Sequence, residues 1–406
     1  MRILHVVPTY VPAWRHGGPV GAVHGLAKAL VAMGHDVSVF TTNVHVDDVL
    51  EVPLGTPVNV DGACVRYFPV QWPRRLYRSP AMGCALREGV RDFEIVHVHS
   101  LFLWPCAAAA GAARHAGVPY IVAPRGMLVK DLVRRRGRWR KLLWLHLVER
   151  RNLAGAAALH VTTPLEGEDA REFGFRLPPI VAVPNGVDDV PFPVVDSRPL
   201  SLLVRGVLER GPFFLYLGRI TWKKGLDRLL RAMARCPGAR VAIAGNDEEA
   251  LQGSLERIAR DSGVADRVAF LGPVLGADKA ALLHHAVALV LPSYSDNFAN
   301  VVVEAMAAGC PVVVTPQVGL ERAVREGAAG LVAEGSPDAL GGALRELFAD
   351  PQRRAEMGRN GIVMARERFA WPVVARQMAA VYEDIIEQHR RVADRDEVRK
   401  RVRGGT

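Results

Sequence analysis

The chain has 406 residues, five cysteines, a formal net charge of +10 and 50% hydrophobic residues. That length holds two domains with a real core each, and five scattered cysteines (Cys64, Cys84, Cys106, Cys236, Cys310) without a C-x-x-C pair exclude a disulfide framework and a zinc ribbon. MRILHVVP lacks the basic region and cleavage site of a signal peptide, and Leu101–Ala113 is too short and too rich in Pro and Ala to span a bilayer, so a reducing, cytoplasmic location is expected.

In chain order, short β-branched runs alternate with helical stretches. Ile3–Val7, Val37–Thr41, Ile95–Val98, Tyr120–Ala123, Ala158–Val161 and Ile180–Val183 predict strands of a parallel sheet. Pro19–Met33, Ala81–Val90, Pro105–His115, Trp139–Leu153 and Glu166–Phe173 predict the helices between them. The alternation weakens into a Pro-containing stretch at Pro191–Gly211, which places a domain boundary there, after a first α/β domain at 1–200. A second series fills 201–370. Its strands are expected at Phe213–Leu217, Arg240–Ala244, Val268–Leu271, Ala288–Leu291, Val312–Val314 and Gly330–Val332. Its helices are expected at Leu226–Ala234, Glu248–Ser262, Ala277–His285, Asn300–Ala308, Pro337–Phe348 and Pro351–Phe369. A final amphipathic helix covers 371–392 and is expected to pack across the domain junction. The basic tail 393–406 is expected to fray.

Ligands of open parallel sheets bind outside the carboxyl ends of the strands. In the second domain three stretches fall there. LGRITWKKG (217–225) sets Arg219 past a strand and Lys224 before a helix, two cations suited to a diphosphate. AGNDEE (244–249), with Asn246, is a turn whose acids serve helix capping or ligand contact with equal weight. LPSYSDNFANVVVEAMAAG (291–309) sets Asp296 at a helix mouth and Glu304 within an apolar run, where a carboxylate should be paired or bind a ligand. In the first domain, His16-Gly17-Gly18-Pro19 ends a long loop before a helix, where paired glycines allow close backbone approach or simply turn the chain. An NAD fingerprint fails there on spacing. His97 and His99 share a strand face. His97 reads as a sheet-core residue and His99, at the carboxyl end, as the crevice candidate. No metal site is expected: further ligands at close spacing are missing, and the D-x-D at Asp394 and Asp396 lies in the charged tail.

The order and spacing of MRILHVVPTY with GGP, VHVHS, VPNGVD, GRITWKKG and PSYSDNFANVVVEAMAAGCPVV resemble the retaining glycosyltransferases of family four over nearly the whole chain. The resemblance implies the α/β GT-B fold: two Rossmann-like domains with parallel sheets facing a central cleft and a C-terminal helix crossing back to the first domain. It also implies transfer of a sugar from a nucleotide diphosphate-sugar, held mostly by the second domain, to an acceptor held mainly by the first. A hexosyl transfer to a glycan or lipid-linked acceptor in cell-surface polysaccharide synthesis follows from it, with anomeric configuration retained and no cofactor or metal. Residue by residue, Arg219 and Lys224 would neutralise the diphosphate and Glu304 would take the ribose hydroxyls. Asp296 would face the donor sugar, and the amides of Phe298, Ala299 and Asn300 with the Gly17-Gly18 loop would close on the phosphates. Three positions depart from the family. Asp296 replaces its usual Glu, Ala299 replaces a frequent Gly, and Arg125-Gly126 stands where many members have His-Gly, so that Arg125 acts on the acceptor or the phosphates.

Arg125–Arg151 holds ten Lys or Arg against Asp131 and Glu149, a local sum of +8. With Trp139, Leu142, Leu143 and Trp144 among them, the segment from Lys130 to Arg151 reads either as a peripheral contact with an anionic membrane or as the solvated face of a helix whose tryptophans enter the core. Competing readings are a GT-B nucleotide-sugar epimerase, a low-activity homologue, and a nucleic-acid-binding protein. The last lacks the aromatic platform such binding requires.

Overall fold

The computed structural model describes residues 1–14, 17–45, 48–130, 138–188 and 200–404. They form two compact units, Met1–Asn185 together with Trp371–Thr406, and Gly186–Ala370. The expected boundary at 200/201 lies later in the chain than this division, and 189–199 lie outside the described residues.

The first unit is built on strands β1 (Arg2–Val6), β2 (Asp36–Thr42), a small ribbon of β3 (Val44–His45) and β4 (Asp48–Val49), β5 (Pro57–Val60), β6 (Ala63–Phe68), β7 (Ile95–His99), β8 (Tyr120–Ala123), β9 (Ala158–Val161) and β10 (Ile180–Ala182). Eight of them make one sheet in the order β10-β9-β8-β7-β1-β2-β6-β5. β7 and β8 are buried along their whole length, as a parallel strand covered on both faces should be. The one antiparallel pair of this sheet, β5 with β6, was not expected from the pattern of long apolar runs. Its turn is Asp61-Gly62, both at positive φ (49° and 88°), with Asn59 Oδ1 accepting from the Gly62 amide at 3.0 Å. Asp-Gly between alternating residues is a hairpin signal in its own right.

Helices α1 (Gly18–Ala32), α2 (Pro80–Gly89), α3 (Trp104–Ala116), α4 (Arg138–Trp144), α5 (Arg150–Ala154) and α6 (Pro164–Arg171) follow, with a π-helical turn at Leu145–Glu149 joining α4 to α5.

In the second unit come α7 (Leu202–Glu209), β11 (Phe213–Leu217), α8 (Leu226–Met233), β12 (Arg240–Ala244), α9 (Gln252–Asp261), β13 (Val268–Gly272), α10 (Gly276–His285), β14 (Leu289–Leu291), α11 (Asn300–Ala307), β15 (Val312–Val314), α12 (Glu321–Glu326), β16 (Gly330–Val332), α13 (Pro337–Ala349) and α14 (Pro351–Met364). The sheet order is β13-β12-β11-β14-β15-β16, with every pair parallel. α7 falls in the stretch expected to be irregular. Ser201 Oγ caps it by accepting from the Val204 amide at 3.4 Å, and Val204 and Val207 are buried beneath it.

The last helix, α15 (Trp371–Gly404), belongs to the first unit. Val374, Ala375, Met378, Ala379, Tyr382, Ile385 and Ile386 recur at helical spacing and join the core of β1, α1 and β7. The helix does not end at 392 in a frayed tail. After Pro372 in its first turn, no Gly or Pro interrupts it before Gly404, and the Glu387–Arg391 pair supports it one turn apart.

Candidate active site

At the carboxyl end of the second sheet, three loops meet backbone to backbone. Ile220 N, after β11, donates to Asn246 O, after β12, at 2.8 Å. Gly225 (φ 68°) lies so close to the loop after β14 that a Cβ there would stand 2.1 Å from Pro292 O. Only glycine permits that approach. Tyr216 OH donates to Arg219 O at 2.7 Å, which fixes the backbone of Arg219 from below.

This framework gathers cations and acids. Arg219 Nη1 pairs with Glu248 Oε2 at 3.0 Å, while Lys224 Nζ pairs with Asp296 Oδ2; the side chains of the latter two are only 12% and 13% exposed. Lys223 stands beside them. Burial lowers its pKa, and the carboxylate of Asp296 opposes that shift. Asp296 is itself held at both backbone atoms, its N–H donating to Gln317 O at 3.0 Å and its carbonyl accepting from Gly319 N at 2.8 Å. Arg219, Lys223 and Lys224 thus share Glu248 and Asp296. Thr221 Oγ1 and Ser293 Oγ, from the loops after β11 and β14, are buried without a hydrogen-bond partner.

Glu304, expected to be paired or to hold a ligand, is half-buried and pairs with Lys279 of α10 at 2.8 Å. In AGNDEE, Asp247 takes the capping role: its carboxylate accepts from Leu251 N and Gln252 N, both at 2.9 Å, so that α9 begins later than expected. Glu249 accepts instead from Trp222 N at 2.9 Å. Sequence reasoning gave no individual role to Lys223 and Glu248, which lie inside stretches already singled out, or to Lys279, which lies outside them.

Phe298 and Ala299 are buried, and Asn300 opens α11. Ala299 is the N-cap, in the left-handed conformation (φ 65°, ψ 70°) with no side-chain cap. Its methyl group therefore does not favour the helix; it strains the residue that precedes it. Ala299→Gly is expected to raise stability by about 1 kcal/mol, read as a higher urea midpoint at unchanged slope. An unchanged or lower midpoint would refute the strain.

In the first unit, Gly17 (φ 81°) caps α1 and its amide donates to Trp14 O at 3.0 Å. Gly18 is the first residue of α1. The preceding loop is anchored by Tyr67 OH to Val11 O (2.5 Å) and by Tyr10 OH against His24 Nδ1 (3.0 Å).

His99 is not an open crevice group. It is 1% exposed and lies in a buried cluster with His5, His97 and His160. Arg125 Nη2 donates to His99 Nδ1 at 3.2 Å and Arg125 Nη1 to Asn185 Oδ1 at 2.6 Å. A neutral His99 then carries its proton on Nε2 and donates to His5 Nδ1, 2.8 Å away. In parallel, His160 Nε2 donates to Val183 O (2.8 Å), so His97 Nε2 donates to His160 Nδ1 (3.1 Å) and Tyr382 OH donates to His97 Nδ1 (2.7 Å). These ring protons are assigned from the network. Burial, reinforced by Arg125, holds His5 and His160 down at about 3, and His97 and His99 well below their ordinary value. His5, His97 and His99 do bring three ring nitrogens within 4.8 Å of one another. With His99 Nδ1 accepting from Arg125 and its Nε2 carrying the proton, neither nitrogen of His99 offers a free lone pair to a metal in this network.

Of the basic segment, Lys130 and the residues from Arg138 are described; 131–137 lie outside the described residues. Its two tryptophans part company. Trp144 Nε1 donates to the buried carboxylate of Glu149 at 2.9 Å, whereas Trp139, Leu143 and Leu147 are 76%, 61% and 68% exposed at successive i, i+4 positions. Among the described residues no helix is long and apolar enough to cross a membrane.

Comparison with known proteins bears on this arrangement. A family model described as "Glycosyl transferases group 1" matches residues 204–364, and one described as "Glycosyl transferase 4-like domain" matches residues 17–186. A D-inositol 3-phosphate glycosyltransferase of Paenarthrobacter aurescens is 30% identical over 388 residues, spanning 91% of this chain and 93% of its own. An uncharacterized glycosyltransferase of Methanocaldococcus jannaschii is 26% identical over 390 residues, spanning 90% and 94%. Among solved structures, the sucrose-phosphate synthase of Thermosynechococcus elongatus superposes with a TM-score of 0.73 at 22% identity, over 96% of this chain and 100% of that one. Anabaena HepE, solved in complex with UDP and glucose, gives 0.71 at 19% identity, over 95% and 100%.

Proposed function

The chain belongs to the group 1 glycosyltransferases of family four, with the GT-B fold of two Rossmann-like α/β units, and from that premise we propose that it moves a hexosyl group from a nucleotide diphosphate-sugar to a glycan or lipid-linked acceptor, with retention of configuration, in cell-surface polysaccharide synthesis. One observation carries the donor assignment: Arg219, Lys223 and Lys224 converge at the carboxyl edge of the second sheet, three cations that a diphosphate leaving group could take over from Glu248 and Asp296. The reaction breaks the anomeric C–O bond of the donor, forms the glycosidic bond to an acceptor hydroxyl, and passes the hydroxyl proton to the departing diphosphate. Asp296 and Glu304 are each ion-paired, which favours donor positioning over paired-carboxylate hydrolysis. In this reading Glu304 exchanges Lys279 for, or shares it with, the ribose hydroxyls. The amides at Phe298, Ala299 and Asn300, the loop at Asn246 and the Gly17-Gly18 turn would, in the same reading, bind the phosphates. Arg125 serves the acceptor side, with the buried His99 behind it as its hydrogen-bond partner. No metal or cofactor takes part.

The Paenarthrobacter relative, a D-inositol 3-phosphate glycosyltransferase, supports a second acceptor, a phosphorylated polyol, because identity with it extends over most of both chains. The exposed Trp139, Leu143 and Leu147 beside Lys141, Arg150 and Arg151 support peripheral contact with an anionic membrane on its cytoplasmic face.

A thermal-shift panel of UDP-, GDP- and ADP-sugars tests the donor, since a ligand selective for the folded state raises its melting temperature. One base is expected to shift it. The stabilising donor is then incubated with a polyprenyl-linked sugar, a free glycan and an inositol phosphate, with and without vesicles containing anionic lipid. No shift with any donor sinks the assignment; conversion of the donor sugar without an acceptor favours an epimerase. Indifference to vesicles at physiological salt removes the membrane from the reading.

A further inference from the structure

We propose that Glu166 is a positioning residue that holds Arg125, and through it His99, in the geometry the acceptor side requires; this rests on the glycosyl-transfer reading above. Arg125 (φ 54°) and Gly126 (φ 77°) are consecutive left-handed residues at the carboxyl end of β8. An arginine in that conformation costs about 1 kcal/mol or more and persists only where its surroundings over-determine it. Glu166 supplies that constraint. It is 1% exposed, and its Oε1 accepts from the Gly126 amide at 2.6 Å. Its Oε2 accepts from the amide and hydroxyl of Thr162 at 2.7 and 2.8 Å. One carboxylate thereby ties the loop after β8 to the loop after β9.

Ordinary helix capping does not account for this. Thr163 is the N-cap of α6 and accepts from Glu166 N at 3.2 Å, so a capping box would return the glutamate to the Thr163 amide. Glu166 reaches one residue further back, to Thr162, and places its other oxygen outside the helix altogether. The same carboxylate is the strongest charge opposing the desolvation of the Arg125 guanidinium. Arg125 in turn commits Nη1 to Asn185 and Nη2 to His99. The chain of command is Glu166 to the Arg125-Gly126 backbone, then the guanidinium, then the imidazole.

The test is Glu166→Gln in the full chain, assayed with the donor identified above. Gln keeps the size but turns one acceptor into a donor facing donors, so kcat is expected to fall 10- to 100-fold. KM for the donor, whose proposed contacts include neither Glu166 nor Arg125, stays within about twofold. The Gly126 amide is expected to exchange with deuterium at least tenfold faster. In an Arg125→Ala background the same substitution should lower kcat less than twofold further, because both act through one group. Parental kcat in Glu166→Gln, losses that multiply in the double variant, or unchanged Gly126 exchange would each overturn the proposal. Absence of turnover with every nucleotide-sugar would instead overturn the glycosyl-transfer reading, and Gly126 exchange would still decide whether Glu166 holds the loop.

Discussion

Lys224→Ala is expected to lower turnover about 10²- to 10³-fold, the loss typical of removing one preorganised charge from a developing anion. The same substitution strands Asp296, whose side chain is 13% exposed and bonded to Lys224. A nearly buried carboxylate without its partner is costly, though Lys223 lies close enough to take up part of the charge. We expect a loss of about 1–3 kcal/mol in stability alongside the kinetic effect. The two are separable with Lys224→Met combined with Asp296→Asn, which removes both charges and keeps the volume. That double variant should regain most of the stability and none of the turnover. Donor-induced thermal shift should vanish in Lys224→Ala and in Glu304→Ala. If the shift survives in both, the site assignment is wrong; if the double variant regains turnover, Lys224 has no role beyond its ion pair.

Acidification is the second large effect. In the unfolded chain the rings of His5, His97, His99 and His160 take up protons near the ordinary value of 6.5. In the folded chain His5 and His160 do so only at about 3, and His97 and His99 well below 6.5. Above pH 6.5 their contribution to stability is fully present. As pH falls below it the unfolded state binds more protons, so stability declines, by about 2 kcal/mol for each of His5 and His160 between pH 7 and 5 and in the same direction for His97 and His99. Those two alone amount to about 4 kcal/mol, a large share of the stability of an ordinary domain. Of the described groups bonded to the cluster, Arg125 is a cation and Tyr382 titrates far above neutrality because it is buried, so neither opposes the loss. Glu149, its carboxyl raised by burial, opposes the trend, but it is one group against four. Urea unfolding by far-UV circular dichroism at pH 7, 6 and 5 should show a first transition moving steeply to lower urea. Equal midpoints at pH 7 and 5 would mean the cluster is not held neutral.

Most strands were legible because parallel strands covered on both faces must be continuous apolar runs, as in Phe213–Leu217 or Val312–Val314. The hairpin β5–β6 was missed because one of its strands is short and half solvated, so it lacks the continuous apolar run by which the other strands were read. Helix α7 was hidden by the prolines before it. In the site, Arg219, Lys224, Asp296 and Glu304 stood out by sequence neighbourhood. Their partners did not, since Glu248 and Lys279 meet Arg219 and Glu304 only through the crossings of the sheet. Glu166 was invisible for a related reason. A lone acid in a first helical turn looks like an ordinary dipole partner until the loop after β8 is laid over it. His99 was placed correctly along its strand and yet is enclosed, because the side chains that cover it come from Arg125 and His5, remote in sequence.

Helix α15 fills the core of the first unit with residues more than 180 positions beyond Asn185, where the rest of that unit ends. During synthesis the first unit emerges first and is completed last. Until Tyr382 has left the ribosome, His97 lacks its hydroxyl donor and the face of β1 and α1 that receives Met378 stays open to water. The second unit, contiguous in sequence, has every strand it needs by then. The translated order and the order of completion are therefore inverted, and the exposed apolar face is what a nascent-chain chaperone would meet.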